Sequence, residues 1–238
     1  MWAIDKSLNW GRFLISEFSS LVPQAQHILD VGAGWGDDLL TFKKNHPASE
    51  LHAIECHSEA TAKLKSLGIK TYEINFESEP IPLGEEICDV VISNQVLEHC
   101  KEIFWSLHEM SRTLRVGGHL IIGTPNLASL HNRLLLAVGL QPTCIQNSSA
   151  HIRGYTFRDL IRFLNIFPGG FELIARRGSN FYPFPPSIAK PLAQAFPSLA
   201  WSMFLLLRKT KKYDQPYFLE HPKKQRLETK FYLGSLES

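Results

Sequence analysis

Between residues 28 and 124 the chain repeats one pattern: a short apolar run, then a segment of helical length and amphipathic spacing. The runs are Ile28–Val31, 50–55, Lys70–Asn75, 87–93 and 119–124. Parallel strands cannot be joined by a tight turn. They need a crossover of a dozen or more residues, usually a helix, and such helices cover the faces of the sheet. The run 87–93, ICDVVIS, is nearly all apolar, as suits a strand covered on both faces. The intervening helices are predicted over 37–45, with Leu39, Leu40 and Phe42 inward, over 58–67, with Ser58 as N-cap and Gly68 as stop, and over 101–115. Only the proline-rich loop 79–86 interrupts the alternation.

After residue 126 the rhythm changes. A helix-like stretch and a polar loop occupy 127–150, and a helix capped by Thr156 is predicted over 156–165. Strands are predicted at 171–177 and 200–208, separated by FYPFPPS and a short helical segment. Two late strands so close in sequence are expected to pair antiparallel at the sheet edge. The chain divides into an N-terminal helical lid (1–25), a central domain (26–209) and a polar, basic tail (210–238) expected to be partly disordered. Trp2, Trp10 and Phe13 are the lid's candidate contacts with the site.

A hydrophobic fraction of 44% can fill such a core, and a net charge of +2 gives no global drive toward nucleic acid. Cys56, Cys88, Cys100 and Cys144 have no CxxC spacing or histidine partners at zinc-site spacing, so no metal centre is expected. Scattered cysteines, no signal-peptide pattern and no apolar run near the ~18 residues of a membrane span point to a soluble cytoplasmic enzyme.

The first strand runs into Asp30-Val31-Gly32-Ala33-Gly34-Trp35-Gly36. Small residues there let the backbone turn sharply and approach a ligand, outside the carboxyl ends of the strands where open α/β sheets bind. The spacing is GxGxG rather than the GxGxxG of dinucleotide binders, which suits a nucleoside without a diphosphate. Glu55, followed by Cys56, ends the second strand about 20 residues on, where an acid can hold a ribose diol.

Together with AIEC (53–56), NFESEPIPL (75–83), CDVVISNQVLEH (88–99) and RTLRVGGHLIIGTPN (112–126), ILDVGAGWG (28–36) resembles the core of the class I S-adenosylmethionine-dependent methyltransferases, particularly the small-molecule and quinone-biosynthesis group. HIRGYTFRDLIRFL (151–164) and GFELI (170–174) resemble a later motif of that family. The resemblance implies a Rossmann-like, doubly wound, mostly parallel seven-stranded sheet with helices on both faces and an antiparallel edge strand. It implies S-adenosyl-L-methionine as cofactor. Gly32, Ala33, Gly34 and Trp35 would approach its methionine part and sugar, with Asp30 ordering the loop. Glu55, beside Cys56, would hold the ribose. Asn75, where aspartate is commoner, and Phe76 would meet the adenine, and Asn94 and Gln95 the methionine end.

Methyl transfer to a phenol or alcohol needs a proton acceptor, and histidine is the usual one. His151 and His99 are the candidates, each weighed against a structural histidine bonded to backbone. Asn94-Gln95-Val96-Leu97 lacks the Asn/Asp-Pro-Pro-aromatic pattern of many nitrogen methylases, which favours oxygen, and next carbon, on a small or lipid-like acceptor. The basic clusters Arg208–Lys212 and Lys223–Arg226 could touch an anionic membrane, although a solvated tail is the plainer account. The competing functions are a non-catalytic subunit of the same fold and an NAD-dependent oxidoreductase. Oligomeric state is unreadable.

Overall fold

The computed structural model describes residues 4–234. Its seven strands, in chain order, are β1 (His27–Val31), β2 (Glu50–Ile54), β3 (Lys70–Tyr72), β4 (Cys88–Asn94), β5 (Leu114–Pro125), β6 (Phe171–Ser179) and β7 (Ser202–Lys209). They form one sheet in the order β3-β2-β1-β4-β5-β7-β6. β3 through β5 are parallel, while β7 runs antiparallel to both β5 and β6. The late pair thus forms one edge, with the reversed strand β7 one place in and β6 outermost.

The helices are α1 (Arg12–Leu21), α2 (Asp37–Asn45), α3 (Ser58–Ser66), α4 (Ile103–Thr113), α5 (Leu130–Ala137), α6 (Phe157–Leu164), α7 (Pro186–Ala195) and α8 (Tyr217–Gln225). Strand side chains alternate between two buried layers, as a period of two requires. Ile28, Val90, Ile92, Ile121, Phe204 and Leu206 join Leu14, Phe18, Leu39, Phe42 and Leu64 of α1, α2 and α3. Leu29, Val31, Val91, Leu120, Ile122 and Leu205 join Leu107, Met110, Leu160 and Phe218 of α4, α6 and α8 on the other face.

Local details depart from expectation. β3 ends at Tyr72, because the chain beyond it turns at Asn75. α3 is capped by His57 without a side-chain bond, and Ser58 is its first residue. Leu40 is 37% exposed. Thr156 does cap α6, accepting from the Asp159 amide at 3.2 Å.

Part of the segment expected to be a partly disordered polar tail is packed on the domain, while residues 223–230 are exposed. Phe218 is fully buried and Tyr213 nearly so. Phe231 and Tyr232 meet Phe104 and Trp105 of α4 with ring centroids 4.9 Å apart in each pair. Part of the first basic cluster is spent internally. Lys209 is fully buried, its ammonium donating to Ser111 O at 2.9 Å and to Leu114 O, and Arg208 pairs with Glu172 at 2.6 Å.

Candidate functional site

Strand order reverses between β1 and β4, so the crevice of the sheet opens there. Beyond β1 the chain folds over the end of β2: the Gly32 and Ala33 amides donate to Ile54 O at 2.9 and 3.0 Å. Gly32 has φ +75°, and a Cβ on it would lie 2.6 Å from Val96 Cγ2. Gly34 also has positive φ, +51°, but a Cβ there would meet nothing within 4 Å. One glycine allows close packing against the segment after β4, and the other presents bare backbone to open space.

Glu55 holds this loop. It is 7% exposed, and its Oε2 accepts from the Gly34 amide at 2.8 Å. Its Oε1 accepts from the Cys56 and His57 amides at 2.8 and 3.0 Å. The role of ordering the loop, expected of Asp30, therefore falls to Glu55. Asp30 is buried, and no side-chain hydrogen bond joins it to the loop among the described residues. Its carboxyl is pushed well above the usual range by burial, and further by the carboxylates of Asp38 and Glu55.

Asp38, in the first turn of α2, is also raised by burial, partly offset by a hydrogen bond from Asn94 and the charge of Arg12. Asn94 Nδ2 donates to Asp38 Oδ2 at 2.7 Å and to Trp10 O at 2.9 Å. Gln95 follows with φ +58°, its amide donating to Gly123 O at 2.7 Å. This left-handed backbone turns the chain off β4 at the crevice. Asp30, Gly32, Ala33, Gly34, Trp35, Asn94 and Gln95 all line one cleft of about 170 Å³. Trp10, Arg12, Asp37 and Asp38 complete its wall.

Trp10 ends a 3-10 turn, Lys6–Trp10, which is tied to the sheet by a hydrogen bond from Ser179 Oγ to Leu8 O. Phe13 lies deeper, packed against buried residues, and Trp2 is outside the described residues. Cys56 is exposed beside Glu55. Asn75 and Phe76 lie past β3 and do not line the cleft. Asn75 Oδ1 instead accepts from the Glu77 amide at 3.2 Å, and Phe76 packs against the core.

The two candidate histidines are brought together. Their rings sit edge to face with centroids 4.7 Å apart. His99 Nδ1 faces Ala150 O at 3.2 Å and His151 Nδ1 faces Cys144 O at 2.9 Å. Glu98 joins them although only 1% exposed, and neither of its carboxylate oxygens has a hydrogen-bond partner among the described residues. Burial pushes its carboxyl up to about 8.

A second, larger cavity of about 710 Å³ lies on the other side of the Lys6–Trp10 turn. Asn9 lines it while the adjacent Trp10 lines the cleft. His131, Tyr182 and Trp201 form an aromatic wall with centroids 4.6 to 5.4 Å apart, and Leu135 and Leu140 supply aliphatic surface. Thr143 and Gln146, flanking the Cys144 carbonyl that meets His151, also line it.

Sequence reasoning missed Asp38, Arg12 and Glu98. Asp38 looks like an ordinary acid for a helix dipole. Glu98 carried a signal, a carboxylate set between Leu97 and Cys100 in an apolar stretch, which is costly unless used.

Residues 29–122 match the family described as a methyltransferase domain. Malonyl-[acyl-carrier protein] O-methyltransferase of Methylococcus capsulatus is 27% identical over 127 residues, covering 50% of this chain and 45% of that protein. The matched stretch thus spans less than half the length of that curated relative. A SAM-dependent methyltransferase of Thermotoga maritima has the same fold, with a TM-score of 0.63 at 17% identity, covering 85% of this chain and 91% of that one. A plantazolicin methyltransferase solved with SAH gives a TM-score of 0.59 at 19% identity, covering 85% of each chain.

Proposed function

Because this chain belongs to the class I S-adenosylmethionine-dependent methyltransferases, we propose that it binds S-adenosylmethionine in the β1–β4 cleft and methylates an oxygen of a small or lipid-like acceptor. The observation that carries this is the pairing of Glu55, at the end of β2, with the Gly34 amide in the loop after β1. A ribose diol donates hydrogen bonds, and Glu55 Oε2, which accepts only the Gly34 amide, keeps a lone pair at the end of β2 to receive one.

The charge of the cleft supports the same cofactor. Asp30, Asp37 and Asp38 line the cleft with Arg12 as the neighbouring cation, and the charge of Glu55 reaches Asp30 from the end of β2. Buried acids favour a cation and oppose a diphosphate, which weighs against the NAD-dependent alternative. When bound, the cofactor supplies a methyl group on a sulfonium centre, already electrophilic. The protein's share is alignment, which can supply about 7–11 kcal/mol of the barrier. The bare backbone at Gly34, with Trp35, Asn94 and Gln95, would hold the methionine end. Asn75 and Phe76 would reach the adenine only if the loop after β3 moves toward the cleft.

The aromatic-walled cavity is the proposed acceptor pocket, and the Lys6–Trp10 turn between it and the cleft is the proposed lid. Exposed Leu134, Leu136, Val138 and Leu140 beside it suit a lipid-like acceptor. The His99–His151–Glu98 cluster is the proposed group that assists loss of the acceptor's proton. No described helix is long and apolar enough to cross a membrane. The cytoplasm remains the proposed location, in keeping with four free cysteines.

Calorimetric titration with S-adenosylmethionine and S-adenosylhomocysteine, with NAD as control and Glu55→Ala as comparison, tests the assignment. Micromolar binding of the first two, weakened by the substitution, is expected. A folded protein that binds neither would overturn it. Binding without turnover across hydroxylated, acyl and lipid acceptors would favour the non-catalytic subunit.

A further inference from the structure

We infer that Glu98, His99 and His151 form a binding site for a divalent transition-metal ion. One ligand atom from each lies within 4.8 Å of the others, a spacing that small side-chain rotations close around an ion. A carbonyl oxygen can only accept a hydrogen bond. His99 Nδ1, facing Ala150 O, and His151 Nδ1, facing Cys144 O, must therefore carry the proton. Each ring keeps its lone pair on Nε2, and each is oriented by a backbone carbonyl, as metal-binding imidazoles usually are.

Glu98 supplies the independent observation. It is 1% exposed with both carboxylate oxygens unpartnered among the described residues, a costly arrangement that a cation would relieve. The neighbouring guanidinium does not relieve it, because Arg153 donates to the carbonyls of Cys100 and Lys101 at 2.9 and 2.8 Å. The backbone fixes the ligands beforehand: Glu98 O accepts from the Ile152 and Arg153 amides at 2.9 and 3.2 Å, tying the segment of Glu98 and His99 to that of His151.

Two other groupings of such side chains occur among the described residues, and both are already committed. Glu50 of the His27–Glu50–His52 group is paired with Lys70 at 2.6 Å and with His52 at 3.0 Å. Glu55 of the Glu55–Cys56–His57 group already accepts three backbone amides, which leaves it one free lone pair.

Two imidazoles and a carboxylate suit Zn²⁺, Fe²⁺ or Mn²⁺ better than Mg²⁺ or Ca²⁺, which prefer all-oxygen sets. Three protein ligands leave a coordination position open for water or an acceptor oxygen. There the ion would lower the pKa of a bound hydroxyl, so that its proton leaves to solvent and no imidazole need take it. This last role rests on the proposed methyltransferase function; the binding site does not.

The test is titration of metal-free protein with Co²⁺, followed by visible d–d absorption, and with Zn²⁺ in competition. One equivalent is expected, with affinity reduced at least tenfold in both Glu98→Gln and His151→Ala. Glu98→Gln is isosteric and removes a buried carboxylate, so circular dichroism is expected to show it folded. Equal Co²⁺ affinity in wild type and Glu98→Gln, or no absorption change in folded wild type, overturns the site. S-adenosylhomocysteine titration of the same samples depends on Glu55. Its failure beside intact Co²⁺ binding would remove the proposed function and leave the metal site standing.

Discussion

Asn94 Nδ2 lies 2.7 Å from Asp38 Oδ2 and 2.9 Å from the carbonyl of Trp10, so one amide joins the end of β4, the first turn of α2 and the N-terminal turn. Asn94→Ala leaves a largely buried carboxylate without its donor. The expected loss is about 1–3 kcal/mol, read as a lower denaturant midpoint with unchanged slope. Asn94→Asp should cost more, because it sets a second carboxylate against Asp38.

Glu55 and Asp30 separate by their partners. Glu55→Gln keeps an acceptor oxygen but loses the charge, and hydrogen bonds to charged groups are worth about 1.5–3 kcal/mol. Affinity for S-adenosylhomocysteine is therefore expected to fall by about one to two orders of magnitude. Calorimetry checks this, and an unchanged affinity would refute the ribose contact.

Asp30 should make binding depend on pH. Its carboxyl is raised by burial first, then by Asp38 and Glu55. A cationic ligand favours the ionised acid, so affinity for S-adenosylmethionine should rise with pH and binding should release protons. Titration in buffers of different ionisation enthalpy measures the release. Stability of the free protein has the opposite slope. Above the unfolded-state value the unfolded chain has lost a proton that the folded chain still holds, so stability declines as pH rises toward the folded value. Asp30→Asn should remove that decline and weaken cofactor binding.

Gly34 and Gly32 predict different failures. A Cβ at Gly34 enters open space, so Gly34→Ala costs only the left-handed backbone, about 1–2 kcal/mol, while crowding the proposed cofactor. Gly32→Ala adds a collision with Val96 and should be destabilised further. Thermal melts and S-adenosylhomocysteine titration separate the two.

Phe218 tests whether the basic C-terminal segment belongs to the core. Fully buried among the α4 and α6 side chains, it should cost about 3–5 kcal/mol when replaced by alanine. A melt unchanged in Phe218→Ala would mean that α8 is dispensable.

The sheet was legible in the sequence because parallel strands covered on both faces leave near-continuous apolar runs, as in Val90–Ile92 beside Ile28–Leu29. The glycine loop and Glu55 were legible because their chemistry depends on spacing along the chain. The tail was not: Tyr213 and the short run Tyr217–Leu219 are set among charged residues, and only the third dimension shows α4 waiting for them. Glu98 was only half legible, as an acid in an apolar stretch, for a related reason. Its neighbour His151 is 53 residues away, and nothing in a local window distinguishes an unpaired buried acid from a paired one.

The reversed strand has a consequence for how the molecule is made. β6 pairs with β7 and with no other strand, although it is synthesised first. While residues 202–209 are still inside the ribosome, β6 has no neighbour and β5 presents a bare hydrogen-bonding edge. The emerging chain must carry an adhesive half-sheet through that interval. Inserting Ser202–Lys209 between the two closes it, locking the earlier strand into place from the inside.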